Sequence, residues 1–347
     1  MALAPPLAGV RVVEFESIGP GPLAGRMLAG MGAEVVLIAR PQASTVTELL
    51  GSGAADVLER GKRRVMLDLK RSDADRATAM DLVAGADVLI EGLRPGVMER
   101  LGLGPTDCAR RNPKLVYGRM TGWGQSGPLA AAAGHDLNYV ALSGLLSLGA
   151  RPGGLPVVPP TAQGDAPGAL GLAFGIVCAL LDARTTGRGR VVDAAIVDVA
   201  AMLGNLAQWV HAAGQLAGET PSPFHDSPFY DVYECADGRF VTIGAIEPQF
   251  WADLLQRLGL TDVDPRRQHV VADWPALKER FRAVFRSKSR DAWCRLLEGT
   301  DVCFAPVLGL AEAPDHPHNV ARRTFEATAD GARYGAIAPR FLPLDAD

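Results

Sequence analysis

One histidine stands where a side chain can take up a proton. His135 opens an apparent helix directly behind the glycine-rich loop at 121–128. The dipole at a helix start disfavours the imidazolium, so a histidine there suits a general base working near pH 7. A capping or core histidine is the structural alternative, and the spacing alone leaves both interpretations open.

Two carboxylates occupy comparable positions. Asp165 directly precedes an apolar, helix-like run, and Glu247 stands between a strand-like and a helix-like segment. The functional interpretation gives Asp165 a place beside His135 in one cleft. The structural alternatives are an ordinary N-cap for Asp165, which has a proline two residues later, and a favourable partner of a helix dipole for Glu247.

The elements that must position these residues alternate between strand and helix in the first half. Apolar, β-branched runs predict strands at 10–15, 35–38, 65–69, 86–90 and 115–119. Helical spacing at 23–31 and 72–84 separates some of these strands. The pattern predicts an α/β fold with a mostly parallel, doubly wound, Rossmann-like sheet, whose ligands bind at the carboxyl ends of the strands.

The composition changes near residue 200. An Ala-rich stretch at 200–218 predicts one long helix, and a polar connector follows to residue 227. A hairpin pattern at 230–243 and three later helical segments predict a smaller α+β domain. We therefore predict a large domain at 1–199, a linker at 200–227, a small domain at 228–313, and a tail at 314–347 that returns to the large domain.

Composition limits the classes of function. The chain has 347 residues, a formal net charge of -4 and a pI near 5.9, which predicts neither a nucleic-acid partner nor an anionic-membrane partner. Its five cysteines are widely spaced without a CxxC pair, so we expect reduced thiols, no metal site and a cytoplasmic location. The N-terminus lacks the pattern of a signal peptide, and the apolar run at 169–181 looks too short to span a bilayer.

A series of motifs carries a resemblance to a known family. The segments, in chain order, are 17–32, 91–104, 119–128, GHDLNY at 134–139, 189–193, 228–238 and GAIEPQF at 244–250. The series resembles the family III CoA-transferase (CaiB/BaiF) superfamily from about residue 7 to 328. Within the superfamily it is most similar to the α-methylacyl-CoA racemase branch.

The resemblance implies an architecture and three roles. It implies a homodimer of two interlocked chains, with active sites shared between the large domain of one subunit and the small domain of the other. His135 matches the histidine base of the racemases, Asp165 matches their aspartate, and Glu247 matches a glutamate that orients the histidine. Two groups of different type can exchange the roles of acid and base between the enantiomers of a 2-methylacyl-CoA thioester, through an enolate.

The resemblance also implies a substrate site, with coenzyme A as part of the substrate and no other cofactor. The implied binding residues are Arg40, Lys62, Arg63, Arg64, Gly92, Arg94, Arg100, Tyr139 and Tyr230. Surface charge without a ligand is the alternative for each basic residue. Family members place a basic residue at the position of Leu37, where it helps hold the CoA nucleotide, and an acidic one at Ala39. Because this chain lacks both, a carrier other than CoA remains an alternative for the substrate.

Two other functions remain alternatives. In the transferase branch, the aspartate that matches Asp165 is a nucleophile that forms a mixed anhydride and then a thioester, and it does not require His135. That branch carries a glycine-rich loop where 221–227 here reads Pro-Ser-Pro-Phe-His-Asp-Ser, which favours the racemase interpretation. A non-catalytic, thioester-binding member of the same fold is the third possibility.

Overall fold

The computed structural model describes residues 4–42, 57–150, 154–216, 221–328 and 331–344. The chain divides into two compact units, one formed by residues 1–204 with 334–347 and the other by residues 205–333. The second unit therefore begins inside the predicted linker. It also includes residues 314–333, which we had predicted to return to the large domain.

The large unit is built on a six-stranded parallel sheet in the order β3-β2-β1-β4-β5-β6. Its strands are β1 (Arg11–Phe15), β2 (Glu34–Ala39), β3 (Lys62–Met66), β4 (Val88–Glu91), β5 (Val116–Thr121) and β6 (Val191–Ala195). The central strands are almost continuously apolar because helices cover both faces of the sheet. The predicted α/β fold is confirmed.

Helices connect and flank these strands. They are α1 (Pro20–Gly30), α2 (Asp73–Ala84), α3 (Val97–Arg100), α4 (Pro105–Arg111), α5 (Asp136–Leu142), α6 (Asp165–Thr186) and α7 (Ile196–Leu203). Local sequence sets their starts: the hydroxyl of Ser72 accepts the backbone N–H of Asp75 at 3.1 Å to cap α2, and a proline begins α1.

Helix α6 is the central helix of the large unit. Leu172 and Ile176 are fully buried on its inner side, which packs against β5 and β6. Among the described residues it alone is long and apolar enough to cross a membrane, with a mean hydropathy of 1.8 over an 18-residue stretch, of which 44% is buried in the protein. We expected the apolar run at 169–181 to be too short to span a bilayer. That expectation was wrong, because the helix extends beyond 169–181 at both ends. Its packing on the sheet is that of a core helix.

The second unit contains an antiparallel sheet in the order β7-β8-β9. Its elements are α8 (Asn205–Ala212), β7 (Tyr230–Glu234), β8 (Phe240–Gly244), α9 (Pro248–Arg257), α10 (Trp274–Phe285), α11 (Arg290–Leu297), β9 (Phe304–Pro306), α12 (Pro317–Arg322) and β10 (Phe325–Ala327). A last short strand, β11 (Arg333–Gly335), follows. An aromatic core holds this unit together; the rings of Trp251 and Phe281 stack with centroids 5.6 Å apart.

Candidate active site

A cleft of about 860 Å³ opens at the carboxyl edge of the parallel sheet. Its walls include the segments that follow β1, β4 and β5 and the start of α6. The strand order reverses between β1 and β4, which is the topological switch point where ligands bind in folds of this type. The fold therefore locates a ligand site independently of any motif.

The start of α1 differs from a phosphate cradle. A helix N-terminus binds anions through its unpaired backbone N–H groups, but Pro20 and Pro22 have none. Gly19, at a φ of 72°, lies near Asp165 instead: a Cβ there would be 3.6 Å from the Asp165 Oδ2 atom, an ordinary contact distance. The N-terminal start of α1 therefore lies beside a carboxyl group of the protein itself, that of Asp165.

Asp165 is the first residue of α6, and its carboxyl group lines the cleft. Burial raises the pKa of this group from 3.8 to about 6; the negative charge of Asp136 adds to the rise, and His135 opposes it. The N-cap position belongs to Gly164, so the predicted capping role of Asp165 is not what the structure shows. A carboxyl with this pKa exchanges a proton readily near neutral pH.

Asp136 fixes the start of α6. Its buried Oδ1 atom accepts the backbone N–H of Gly164 at 2.8 Å and that of Asp165 at 2.7 Å. Its Oδ2 atom is buried and has no hydrogen-bond partner among the described residues. Sequence reasoning missed this residue, although it lies inside the GHDLNY run beside the histidine that we singled out.

His135 is the N-cap of α5, with an exposed side chain that lines the same cleft. Its backbone N–H donates to the Asn138 Oδ1 atom at 3.0 Å. The preceding Gly134 carbonyl accepts the Tyr139 hydroxyl, and the Tyr139 ring meets Trp123 edge-on at 4.7 Å between centroids. His135 thus occupies the N-cap position that the structural alternative predicts, and it also lines the cleft as the functional interpretation requires.

The cleft brings together part of the predicted substrate site. Its lining includes Arg40, Gly92, Arg94, His135, Tyr139 and Asp165. Lys62, Arg63, Arg64 and Arg100 are not among the lining residues. Glu247 and Tyr230 belong to the second unit, where Glu247 is the exposed N-cap of α9. Its predicted role in orienting a histidine stays a prediction.

Lys62 has a different environment from the one we expected. Its Nζ atom lies 2.6 Å from the Glu14 Oε2 atom, with side chains that are 1% and 0% exposed, and it also donates to the Pro22 carbonyl at 2.8 Å. Burial raises the pKa of Glu14 to about 7 and lowers the pKa of Lys62. The ammonium group of Lys62 is therefore enclosed in the protein rather than presented to a phosphate.

A second buried ion pair supports the wall of the cleft. The Arg119 Nε atom donates to the Glu91 Oε1 atom at 2.9 Å, and the backbone N–H of Leu93 donates to Glu91 Oε2 at 2.7 Å. Burial raises the pKa of Glu91, and Arg119 opposes the rise. Glu91 thereby holds the turn at 92–95, which contributes Gly92 and Arg94 to the cleft.

The whole chain is similar to proteins of one family. The family model described as CoA-transferase family III matches residues 7–344. The chain belongs to CoA-transferase family III. It is 43% identical to mouse α-methylacyl-CoA racemase and 40% identical to the human protein of that name, each over 97% of this chain and 86% of the relative. A crystal structure of a CaiB/BaiF family protein from Brucella suis matches with a TM-score of 0.85 and 26% identity, over 99% of this chain and 94% of that one. The resemblance inferred from the motifs is confirmed.

Proposed function

We propose that this family III protein interconverts (2R)- and (2S)-2-methylacyl-CoA thioesters by 1,1-proton transfer. One observation carries the proposal: His135 and Asp165 line the same cleft, and burial raises the pKa of Asp165 to about 6. An imidazole and a carboxyl group of raised pKa that line one cleft can share a single proton, so either can act as the base while the other acts as the acid. The similarity to α-methylacyl-CoA racemases supports this reading.

The intermediate in such a transfer is an enolate, which needs stabilisation because an α-proton of a thioester is only weakly acidic. The cleft offers fixed dipoles for this purpose, since α6 begins at Asp165 with 22 residues of aligned peptide units. Loss of the proton from one face and its return from the other then inverts the α-carbon without net redox change.

We also propose that the working form is a homodimer in the cytoplasm. Helix α6 leaves Leu170, Phe174 and Leu181 between 50% and 67% exposed on its outer side, an apolar strip typical of a subunit interface. In this dimer, Glu247 of one subunit would orient His135 of the other. All five cysteines are free, which fits a reducing compartment.

The test follows α-deuterium. The protein is incubated with (2R)-2-methylacyl-CoA in deuterated water, with and without an acceptor carboxylic acid. Deuterium incorporation together with racemisation in the absence of acceptor supports the proposal. A new thioester that forms only with acceptor would instead identify a CoA-transferase with Asp165 as the nucleophile.

Two variants link the activity to the cleft. His135→Ala and Asp165→Ala should each abolish α-deuterium exchange while the oligomeric state and circular dichroism stay those of the parent protein. Normal exchange in either variant would remove that residue from the mechanism.

A further inference from the structure

Two charged residues of the cleft lining, Glu16 and Arg40, are bound to each other. The Glu16 Oε2 atom accepts the Arg40 backbone N–H at 2.9 Å and the Arg40 Nε–H at 3.0 Å. The Glu16 Oε1 atom lies 3.5 Å from a terminal nitrogen of Arg64. The Glu16 side chain is 12% exposed and the Arg40 side chain is 48% exposed, so the carboxylate is shielded from water while the guanidinium stays partly hydrated.

Near this edge of the sheet, the described side chains of Arg40, Lys62 and Arg64 each have a carboxylate partner. Arg64 also pairs with Glu59 at 2.5 Å, so two glutamates face the two arginines. Lys62 is neutralised by Glu14 inside the protein. These carboxylates reduce the positive charge that Arg40 and Arg64 present to an anionic ligand.

The rest of the described cleft lining adds little positive charge for an anionic ligand. Two prolines remove two backbone N–H donors from the start of α1, so this helix start offers fewer donors to a phosphate than switch-point helices commonly do. Among the described residues of the lining, the permanently charged cations are Arg40 and Arg94, and Arg94 lies in the exposed turn after β4. The acid–base end of the cleft, at His135 and Asp165, is unaffected by Glu16.

We propose that Glu16 is a specificity-determining residue that acts as an internal counter-ion and reduces the contribution of nucleotide phosphates to substrate binding. The cleft then selects its substrate mainly through the acyl-pantetheine part of the thioester. Acyl groups carried on a pantetheine arm without the nucleotide belong to its substrate class. This inference rests on the proposed racemase function and adds the carrier to it.

The experiment compares one acyl group on two carriers. For the parent protein and Glu16→Gln, kcat/KM of α-deuterium exchange is measured with 2-methylacyl-CoA and with 2-methylacyl-pantetheine. Glutamine keeps an acceptor for the Arg40 N–H but removes the charge. We expect KM for the CoA ester to fall by about five- to tenfold, the size of one Coulomb interaction near a protein surface, while KM for the pantetheine ester stays the same.

Two further variants make the result specific. Asp107→Asn removes a negative charge of an exposed pair with Arg110 elsewhere in the large unit and should change neither KM. Glu16→Gln combined with Arg40→Gln should lose the gain in CoA affinity, because the cation that Glu16 had neutralised is then absent. A rise in KM for the CoA ester in Glu16→Gln, or equal changes for both carriers, would overturn the proposal.

A binding measurement separates this inference from the proposed function. Adenosine 3′,5′-bisphosphate, the phosphate-bearing end of CoA, is titrated into both proteins by calorimetry without any turnover. Tighter binding by Glu16→Gln supports the role of Glu16 even if no α-proton exchanges. Exchange in the parent protein with equal binding by both proteins would leave the racemase reading intact and refute the role of Glu16.

Discussion

The carboxylate of Asp136 holds the backbone N–H of Asp165 at 2.7 Å. Asp136 directly follows His135 in the chain and also accepts the N–H of Gly164. One side chain therefore joins the start of α5, which carries the proposed base, to the start of α6, which carries the proposed acid. Burial is the main cause of the raised pKa of Asp165 and the negative charge of Asp136 adds to it, so Asp136 affects both the backbone position and the proton affinity of Asp165.

Replacing Asp136 by asparagine should separate these two effects. Asparagine keeps an oxygen that accepts both N–H groups but removes the charge, so the pKa of Asp165 falls. The proposed pair works when it holds one proton, and activity is lost at low pH when both members are protonated. We expect the acidic limb of the pH profile of kcat/KM to move to lower pH by about one unit.

Asp136→Ala, which leaves buried N–H groups unpaired, should instead lower stability by about 1–3 kcal/mol. An unchanged acidic limb in Asp136→Asn would show that the charge does not tune Asp165.

Asp165 should reduce stability above its own pKa. Its folded-state pKa of about 6 lies above the ordinary aspartate value of 3.8, so the folded protein binds this proton more tightly than the unfolded chain does. The stabilisation from this proton is present below about pH 4 and is lost as the pH rises towards 6. Asp165→Asn should therefore raise the melting temperature at pH 8 by a few degrees, about 3 °C per kcal/mol, and change it little at pH 4. Thermal denaturation at both pH values tests this, and an equal shift at both would contradict the pKa argument.

The buried pair of Lys62 and Glu14 should matter for stability rather than for substrate binding. Lys62→Met leaves Glu14 as an unpaired buried group, and we expect a loss of about 3–5 kcal/mol. Replacing both residues by apolar ones, as in Glu14→Leu with Lys62→Met, should recover most of the loss. Denaturant unfolding measures both, with the exposed neighbour in Arg63→Met as a control that stays within about 0.5 kcal/mol. A selective rise in KM without a loss of stability would restore the original interpretation of Lys62 as a phosphate ligand.

Local patterns predicted much of the fold because they coincide with burial. The hairpin expected at 230–243 appears as β7 and β8, and the strand expected at 10–15 appears as β1 within one residue. The strand expected at 65–69 instead spans Lys62–Met66, because parallel pairing with β2 places Lys62 opposite Val35 and Met66 opposite Ala39. That pairing is a long-range constraint that a sequence window does not contain.

The remaining differences have similar causes. The helix expected at 200–218 is two helices, α7 and α8, divided at Gly204, where a side chain would lie 2.7 Å from Leu145. Strand β6 was not predicted, because its short apolar run forms a strand only by pairing with β5.

In the site, His135 and Asp165 were found through helix starts. Asp136 and Glu16 were missed because their roles depend on contacts with Asp165 and Arg40, which the sequence does not show.

Gly134 should be required for the position of His135. A Cβ at this residue would lie 2.8 Å from the Tyr139 ring and 2.9 Å from the Trp123 ring, and both rings are fixed against each other. Gly134→Ala therefore displaces the chain that leads into His135, and a shift of about 1 Å at a reacting group lowers kcat by roughly a hundredfold. Gly335→Ala, where a Cβ meets open space, is the matched control. Steady-state exchange rates decide the matter; a kcat close to that of the parent protein would mean that the loop adapts without moving the imidazole.

Phe174 should report on the proposed dimer. It lies at the middle of the outer strip of α6 and is 67% exposed, whereas the inner side of the same helix is buried on the sheet. A charge placed in an interface must be desolvated, so Phe174→Glu should shift the protein towards monomer in sedimentation measurements. Thr185→Glu, also exposed but at the polar end of α6, should leave the oligomeric state unchanged.

If the second unit of one subunit completes the cleft of the other, the monomer should also lose α-deuterium exchange while the pKa of Asp165 stays raised. An active monomer would show that His135 and Asp165 need no partner subunit, and would leave Glu247 without the orienting role that we assigned to it.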